Sequence, residues 1–413
     1  MIKKLTIKNF KAIQDMTIEF TPLTVLIGGN SCGKTTVLQA LDFLHTAAIR
    51  DLPEYLREKG WVFEDLKSKT GDEQESLPIV FISEYQFIIN DTVKTLSWDL
   101  SIDMDKSNWI IREKIEIVNE NQIIIFRGDN AEETFPSAFK KFSLQSSLLK
   151  YYEPADTEKE IIELKLFLGA STNFGLLSPE KIRLGKNPGV IGNIGNSGEW
   201  LSAFVHNLNE EEKKELEQIV SDFFDIKIKL ATSESISGIA LSINEKYPKK
   251  ELAVDAWHTS DGFLRIIALS AIVFQRLILR HGTSDAGIKL KYDGKYTHRG
   301  YTECNKGMIL LDEIEDGINP YCSQKTVALL RKIIATTKRQ VIVTTHSPVI
   351  LNDFSYEEII FLWKADDGFV HCKKMFSTEQ MKEALDFLNP GEVWENFGKE
   401  VILQKLDVPK ENK

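Results

Sequence analysis

Cysteine is scarce in this chain and follows no pattern. Cys32, Cys304, Cys322 and Cys372 show neither CxxC spacing nor a regular framework, which fits a reducing compartment and argues against a zinc ribbon or hook. Long apolar runs are also missing. The longest, residues 266–279, is interrupted by Gln275 and Arg276 and is too short to span a bilayer, so no membrane contact is expected. The opening Met1-Ile-Lys-Lys-Leu-Thr-Ile lacks an apolar signal core, and a cytoplasmic location is expected. No heptad pattern is sustained, which sets aside a long coiled-coil arm. Positive charge is in deficit, with a formal net charge of −10. The chain as a whole should therefore repel a polyanion, and any nucleic-acid contact needs a local basic patch. With 413 residues, 42% of them hydrophobic, there is enough chain for one large domain with insertions or for two modest ones.

Against these absences stands one complete motif. Gly28, Gly29, Asn30, Ser31, Cys32, Gly33, Lys34, Thr35 and Thr36 spell GxxxxGK[ST] directly after the apolar run 23–27. This is the phosphate loop of a nucleoside triphosphate site. Gly28 and Gly33 let the backbone turn until its N–H groups line an anion hollow, Lys34 reaches the β/γ-phosphates, and the Thr35 hydroxyl ligates Mg²⁺. The helix opening at Lys34 adds its positive dipole end. ATP and Mg²⁺ are the expected ligands, with Asn30, Ser31 and Thr36 in the binding loop.

The surrounding pattern is α/β. Strands are expected over 2–10, 16–20 and 23–27, and a helix over 36–48 with Val37, Leu38, Leu41, Phe43 and Leu44 on one face. Short β-prone runs follow at 78–90, 92–102, 109–118 and 122–126. Residues 128–225 read as a mostly helical insertion that contains a Gly/Asn-rich loop and a helix capped by Asn209 with Glu212. A helix over 261–279, a strand over 308–312, a helix over 321–335 and a strand over 340–345 complete the pattern.

Three further segments carry chemistry. Met308-Ile-Leu-Leu-Asp312-Glu313 is an apolar strand ending in two carboxylates, of which Asp312 should hold Mg²⁺ through water and Glu313 should act as general base on the attacking water. Alone the signal is weak, since many strands end in solvated acids; beside a phosphate loop it is strong. A second buried strand, Val341-Ile-Val-Thr-Thr-His346, ends in a histidine; a lone histidine there is more often structural, but a polar strand end beside Asp-Glu favours a γ-phosphate sensor. Finally Ser260-Asp261-Gly262 opens an apolar helix, where Ser260, Gly262 and free N–H groups form a second anion site. Taken alone, that tripeptide is a common N-cap turn.

The ordered set resembles the ABC-type ATPase heads of the RecF, SMC and OLD (overcoming-lysogenization-defect) group, and specifically its compact AAA-family ATPases. Asn9-Phe10-Lys11 on the opening strand looks like the group's NF[RK] motif, which implies a phosphate contact for Lys11. Asn30 matches the loop asparagine, Ser260-Asp261-Gly262 the signature, Asp312-Glu313 Walker B, Glu315 to Pro320 the D-loop, and His346 the switch histidine. The resemblance implies an ABC-type P-loop head with a mixed central sheet, an antiparallel β subdomain and a mostly helical insertion. The expected division is 1–127 and 226–365 for the two ATPase lobes, 128–225 for the insertion and 366–413 for a small extension. It also implies a homodimer in which the signature serine of one head contacts the γ-phosphate held by the other. Ile314 and Asn319 replace a proline and a histidine frequent in the group. No Q-loop glutamine can be placed; Gln86 is the nearest candidate, and a surface strand position suits it better.

Two stretches keep open roles. Lys289, Lys291, Lys295, His298 and Arg299 interleave with Tyr292, Tyr296 and Tyr301, a composition that grips nucleic acid and that a solvated hairpin turning at Asp293-Gly294 shares. The hairpin or a protein contact is favoured. After Pro348 the chain is too short for a Toprim nuclease domain, and Trp394 and Phe397 look available to a partner. The first reading is an ATPase subunit that senses a signal and gates a separate nuclease- or Toprim-like effector, as in prokaryotic antiphage systems. The alternative is a RecF-like ATP-dependent DNA clamp, with a transporter ATPase third.

Overall fold

The computed structural model describes residues 1–69, 77–103, 109–127, 145–152, 158–185, 193–235, 238–275, 277–280, 301–304 and 306–408. The basic and aromatic stretch at 281–300 lies outside the described residues.

The amino-terminal strands β1 (Ile2–Phe10) and β2 (Ile13–Glu19) pair antiparallel before the chain enters β3 (Leu23–Ile27). Strands β4 (Ile79–Ile89), β5 (Thr92–Ile102), β6 (Ile110–Ile117) and β7 (Gln122–Arg127) follow as a meander. Six of these seven form one antiparallel sheet in the order β2-β1-β4-β5-β6-β7. Its inner face shows the period of two expected of a sheet wet on one side, buried at Phe81, Tyr85, Leu96, Trp98 and Leu100. A register shift between Ile2 and Lys4 lets Ile2 and Leu5, an odd number of residues apart, face the same core.

The second sheet carries the chemistry. Strand β8 (Thr172–Gly175) is its far edge; a three-stranded antiparallel sheet of β9 (Lys227–Ser235), β10 (Gly238–Lys246) and β11 (Glu251–Asp255) and a two-stranded ribbon of β12 (Leu277–Arg280) with β13 (Tyr301–Cys304) intervene in the chain. Then come β14 (Met308–Leu311), β15 (Gln340–Thr344), β16 (Ile359–Lys364) and β17 (Val370–Lys374). The order is β17-β16-β3-β15-β14-β8, parallel throughout except for β17, so the central sheet is mixed as expected. Every residue of β3, β14 and β15 is buried, because both faces of the sheet are covered. Leu23, Val25, Ile27, Ile309, Leu311, Val341 and Val343 face a core closed by the helices Asp261–Ala271 and Ser323–Thr337. Leu26, Leu310 and Ile342 point the other way, into the core that the helix Lys34–Ile49 shares with the antiparallel sheet. The buried Gln340 joins the two sheets: its side chain accepts from Ile2 N at 3.0 Å and donates to Ile2 O and Thr21 O.

Three differences from the sequence reading stand out. The stretch 128–225 is helical at Lys159–Gly169, Leu201–Asn207 and Glu210–Phe224, yet its Thr172–Gly175 is a strand of the central sheet. The signature helix stops at Ala271 rather than near 279, since Leu277 to Arg280 find a strand partner in β13. Toward the carboxyl terminus β17 belongs to the central sheet, and Trp394 and Phe397 lean on the core rather than out to a partner. Phe387 is the aromatic left 88% exposed there.

Candidate active site

Parallel strands deliver their carboxyl ends to one edge, and β3, β14 and β15 are neighbours there. The phosphate loop, Asp312-Glu313 and His346 therefore meet although the chain separates them widely.

Gly28 leaves β3 at φ 146°, and a Cβ on it would lie 2.2 Å from Leu362 O, so the turn needs glycine for both conformation and space. Ser31 at φ 59° and Gly33 at φ 93° complete the curl, with Asn30 and Ser31 exposed at its tip. The helix Lys34–Ile49 then starts with no side-chain cap, leaving its first N–H groups for an anion. Thr35 is exposed and Thr36 half-buried at this helix start.

Lys34 is only 5% exposed, and its ammonium donates to Gly28 O at 2.9 Å and Gly29 O at 3.0 Å. Burial pulls its pKa below the ordinary lysine value, opposed by Cys32, Asp312 and Glu313. The same burial pushes the Cys32 thiol up despite the neighbouring Lys34, so the loop position does not acidify it.

Thr35 Oγ1 donates to Asp312 Oδ2 at 2.9 Å. A hydroxyl and a carboxylate in contact are hard oxygen donors of the kind Mg²⁺ takes while keeping several waters. Thr344, which the sequence reading passed over, ties both acids together: its hydroxyl donates to Asp312 Oδ1 at 2.5 Å and accepts from Glu313 N at 2.8 Å. Glu313 sits at φ 50°, left-handed for a non-glycine, a conformation that its N–H bond to Thr344 helps to hold. Glu313 Oε1 is 3.8 Å from His346 Nε2, and His346 Nδ1 is 3.4 Å from Lys34 Nζ.

The signature helix packs beside these groups, with Arg265 and Leu269 lining one cavity together with Asp312 and Glu313. Ser260 is exposed at the start of the helix Asp261–Ala271 and makes no side-chain cap bond among the described residues. A Cβ on Gly262 would come within 2.0 Å of Gly317 O, which explains the glycine as a packing need against the D-loop. Arg265 Nη1 donates to Asp316 O at 2.5 Å and also pairs with the Asp316 carboxylate. Lys11 reaches Gln39 Oε1 at 2.8 Å and stacks 3.7 Å over Trp61, one turn along the phosphate-loop helix. Gln86 is on β4, where its main chain pairs with Met1, and it takes no part in this cluster.

Comparison with known proteins bears on the fold and the family. The chain shares its fold with an SMC head solved bound to the C-winged helix domain of ScpA, at 14% identity and a TM-score of 0.51 over 90% of this chain and 96% of that one. Locally it is similar to an OLD nuclease of Thermus scotoductus (strain ATCC 700910 / SA-01), 43% identical over 44 residues, and to the Septu protein PtuA of Bacillus thuringiensis, 28% identical over 118 residues. Those stretches cover 11% and 28% of this chain but only 8% and 28% of the relatives' own lengths. A family model described as AAA ATPase domain matches residues 1–351, and the chain belongs to that family.

Proposed function

We propose that this chain is the ATP-hydrolysing sensor subunit of a prokaryotic antiphage system, working as a dimer that holds or releases a separate nuclease- or Toprim-like effector. The convergence of Lys34, Thr35, Asp312, Glu313 and His346 at one sheet edge carries the enzymatic part. Lys34 and the helix N-terminus take the β/γ-phosphates. Thr35 and Asp312 hold Mg²⁺, which neutralises charge on the phosphates when bound. Glu313 accepts a proton from the water whose oxygen attacks the γ-phosphorus as the bond to ADP breaks, and His346 hydrogen-bonds the transferred group. Lys11 adds a phosphate contact from the rim.

The dimer rests on the exposed Ser260 with its uncapped helix start, the segment that the resemblance pairs with the phosphate loop of a second head. ATP then joins two heads: the triphosphate held by one phosphate loop is completed by the other subunit's Ser260, Gly262 and helix dipole. Hydrolysis removes the shared γ-phosphate and loosens the pair. The defence role rests on the motif resemblance and on local similarity to an OLD nuclease and a Septu protein. Tagged Glu313→Gln, captured from its native host with ATP and Mg²⁺, tests the whole. A stoichiometric nuclease- or Toprim-like chain supports the reading; duplex DNA without such a chain turns it toward the clamp.

A further inference from the structure

We propose that Glu315 is a positioning residue for His346, fixing the backbone from which the switch histidine reaches the site. The proposal rests on the reading of His346 as the γ-phosphate sensor.

His346 lies beyond the last residue of β15, where the parallel ladder no longer supplies a partner for its main chain. Thr345 N still bonds Leu26 O at 3.2 Å, and Ser347 N turns back to Thr345 Oγ1 at 3.0 Å. Between them, His346 N donates to Glu315 Oε1 at 2.5 Å. A carboxylate two residues past the base therefore substitutes for the missing strand. The ring it positions spans 3.4 Å to Lys34 and 3.8 Å to Glu313, distances that a small rotation of the 346 backbone would change together.

The second carboxylate oxygen argues that this bond matters beyond packing. Glu315 Oε2 is enclosed with no hydrogen-bond partner among the described residues, a cost that an apolar side chain filling the same space would avoid. The loop that bears Glu315 is also gripped from its far side by the signature helix, through Arg265 on Asp316 and the close approach of Gly262 to Gly317. Glu315 thus stands where the seat of that helix meets the switch histidine.

Steady-state ATP hydrolysis by Glu315→Ala, Glu315→Gln, His346→Ala and the double variant Glu315→Ala/His346→Ala tests this, with thermal melts and ATP titrations confirming that each folds and binds. We expect Glu315→Ala to lower kcat about 10-fold or more with KM nearly unchanged. Glu315→Gln, whose amide oxygen accepts the same N–H, should recover most of that loss. The double variant should be no slower than His346→Ala, because both changes remove one unit. Wild-type kcat in Glu315→Ala, failure of the Gln variant to recover, or multiplied losses in the double variant would each overturn the proposal. Full activity in His346→Ala would instead remove the sensor reading beneath it.

Discussion

His346 Nδ1 stands 3.4 Å from Lys34 Nζ across 312 positions of sequence. The other ring nitrogen, Nε2, faces Glu313 Oε1 at 3.8 Å. Lys34, His346 and Glu313 thus form one line of contacts. Lys34→Ala should weaken ATP binding by ~1.5–3 kcal/mol, the worth of charge-assisted hydrogen bonds. Isothermal titration checks this, and an unchanged affinity would contradict it.

Glu313→Gln keeps the shape of the site and loses the proton acceptor. ATP affinity should persist while turnover falls by ~10²–10⁴-fold. With hydrolysis blocked, ATP and Mg²⁺ should hold the variant at twice its monomer mass in light scattering. Wild-type turnover in this variant would mean the base lies elsewhere.

Gly262 has no room for a side chain, with Gly317 O 2.0 Å from the position a Cβ would take. Gly262→Ala must push the signature helix off the D-loop, at a cost of ~1–3 kcal/mol for a clash against backbone. A lower urea midpoint with loss of hydrolysis, and with ATP binding kept, is expected. A variant as stable and active as wild type would show that the two segments are not in contact.

Burial pulls the Lys11 pKa down to about 8. The group is charged below that pH and neutral above it. If it contacts phosphate, ATP affinity should fall as pH rises from 7 to 9, and Lys11→Arg, charged throughout, should flatten the profile. Identical pH profiles for the two proteins would remove Lys11 from the phosphate site.

What the sequence disclosed was whatever a local pattern determines. The phosphate loop has fixed spacing, the buried strands β3, β14 and β15 are continuous apolar runs, and Asp312 and His346 stand at strand ends that a parallel sheet must bring together. Partners chosen by topology were silent. Thr344 gains its role only because β15 lies between β3 and β14, and Glu315 only because its loop folds back under His346. The polar pair Thr344-Thr345 inside a buried run was the one available hint. Thr172–Gly175 is four residues long with a single fully buried side chain, Phe174, too little to announce a strand of the central sheet. The overlong signature helix came from reading an apolar run as one period, when its end pairs as strand β12.

The central claim is that each ATP is hydrolysed between the phosphate loop of one chain and the signature of another. Mixing Lys34→Ala with Ser260→Arg tests it most directly, by ATP turnover of each alone and of the two together. The mixed dimer keeps one whole site, with the loop of one protein and Ser260 of the other, so activity should return in the mixture while each variant alone is inactive. Turnover by Ser260→Arg alone at the wild-type rate, or a mixture as silent as its parts, would contradict the account.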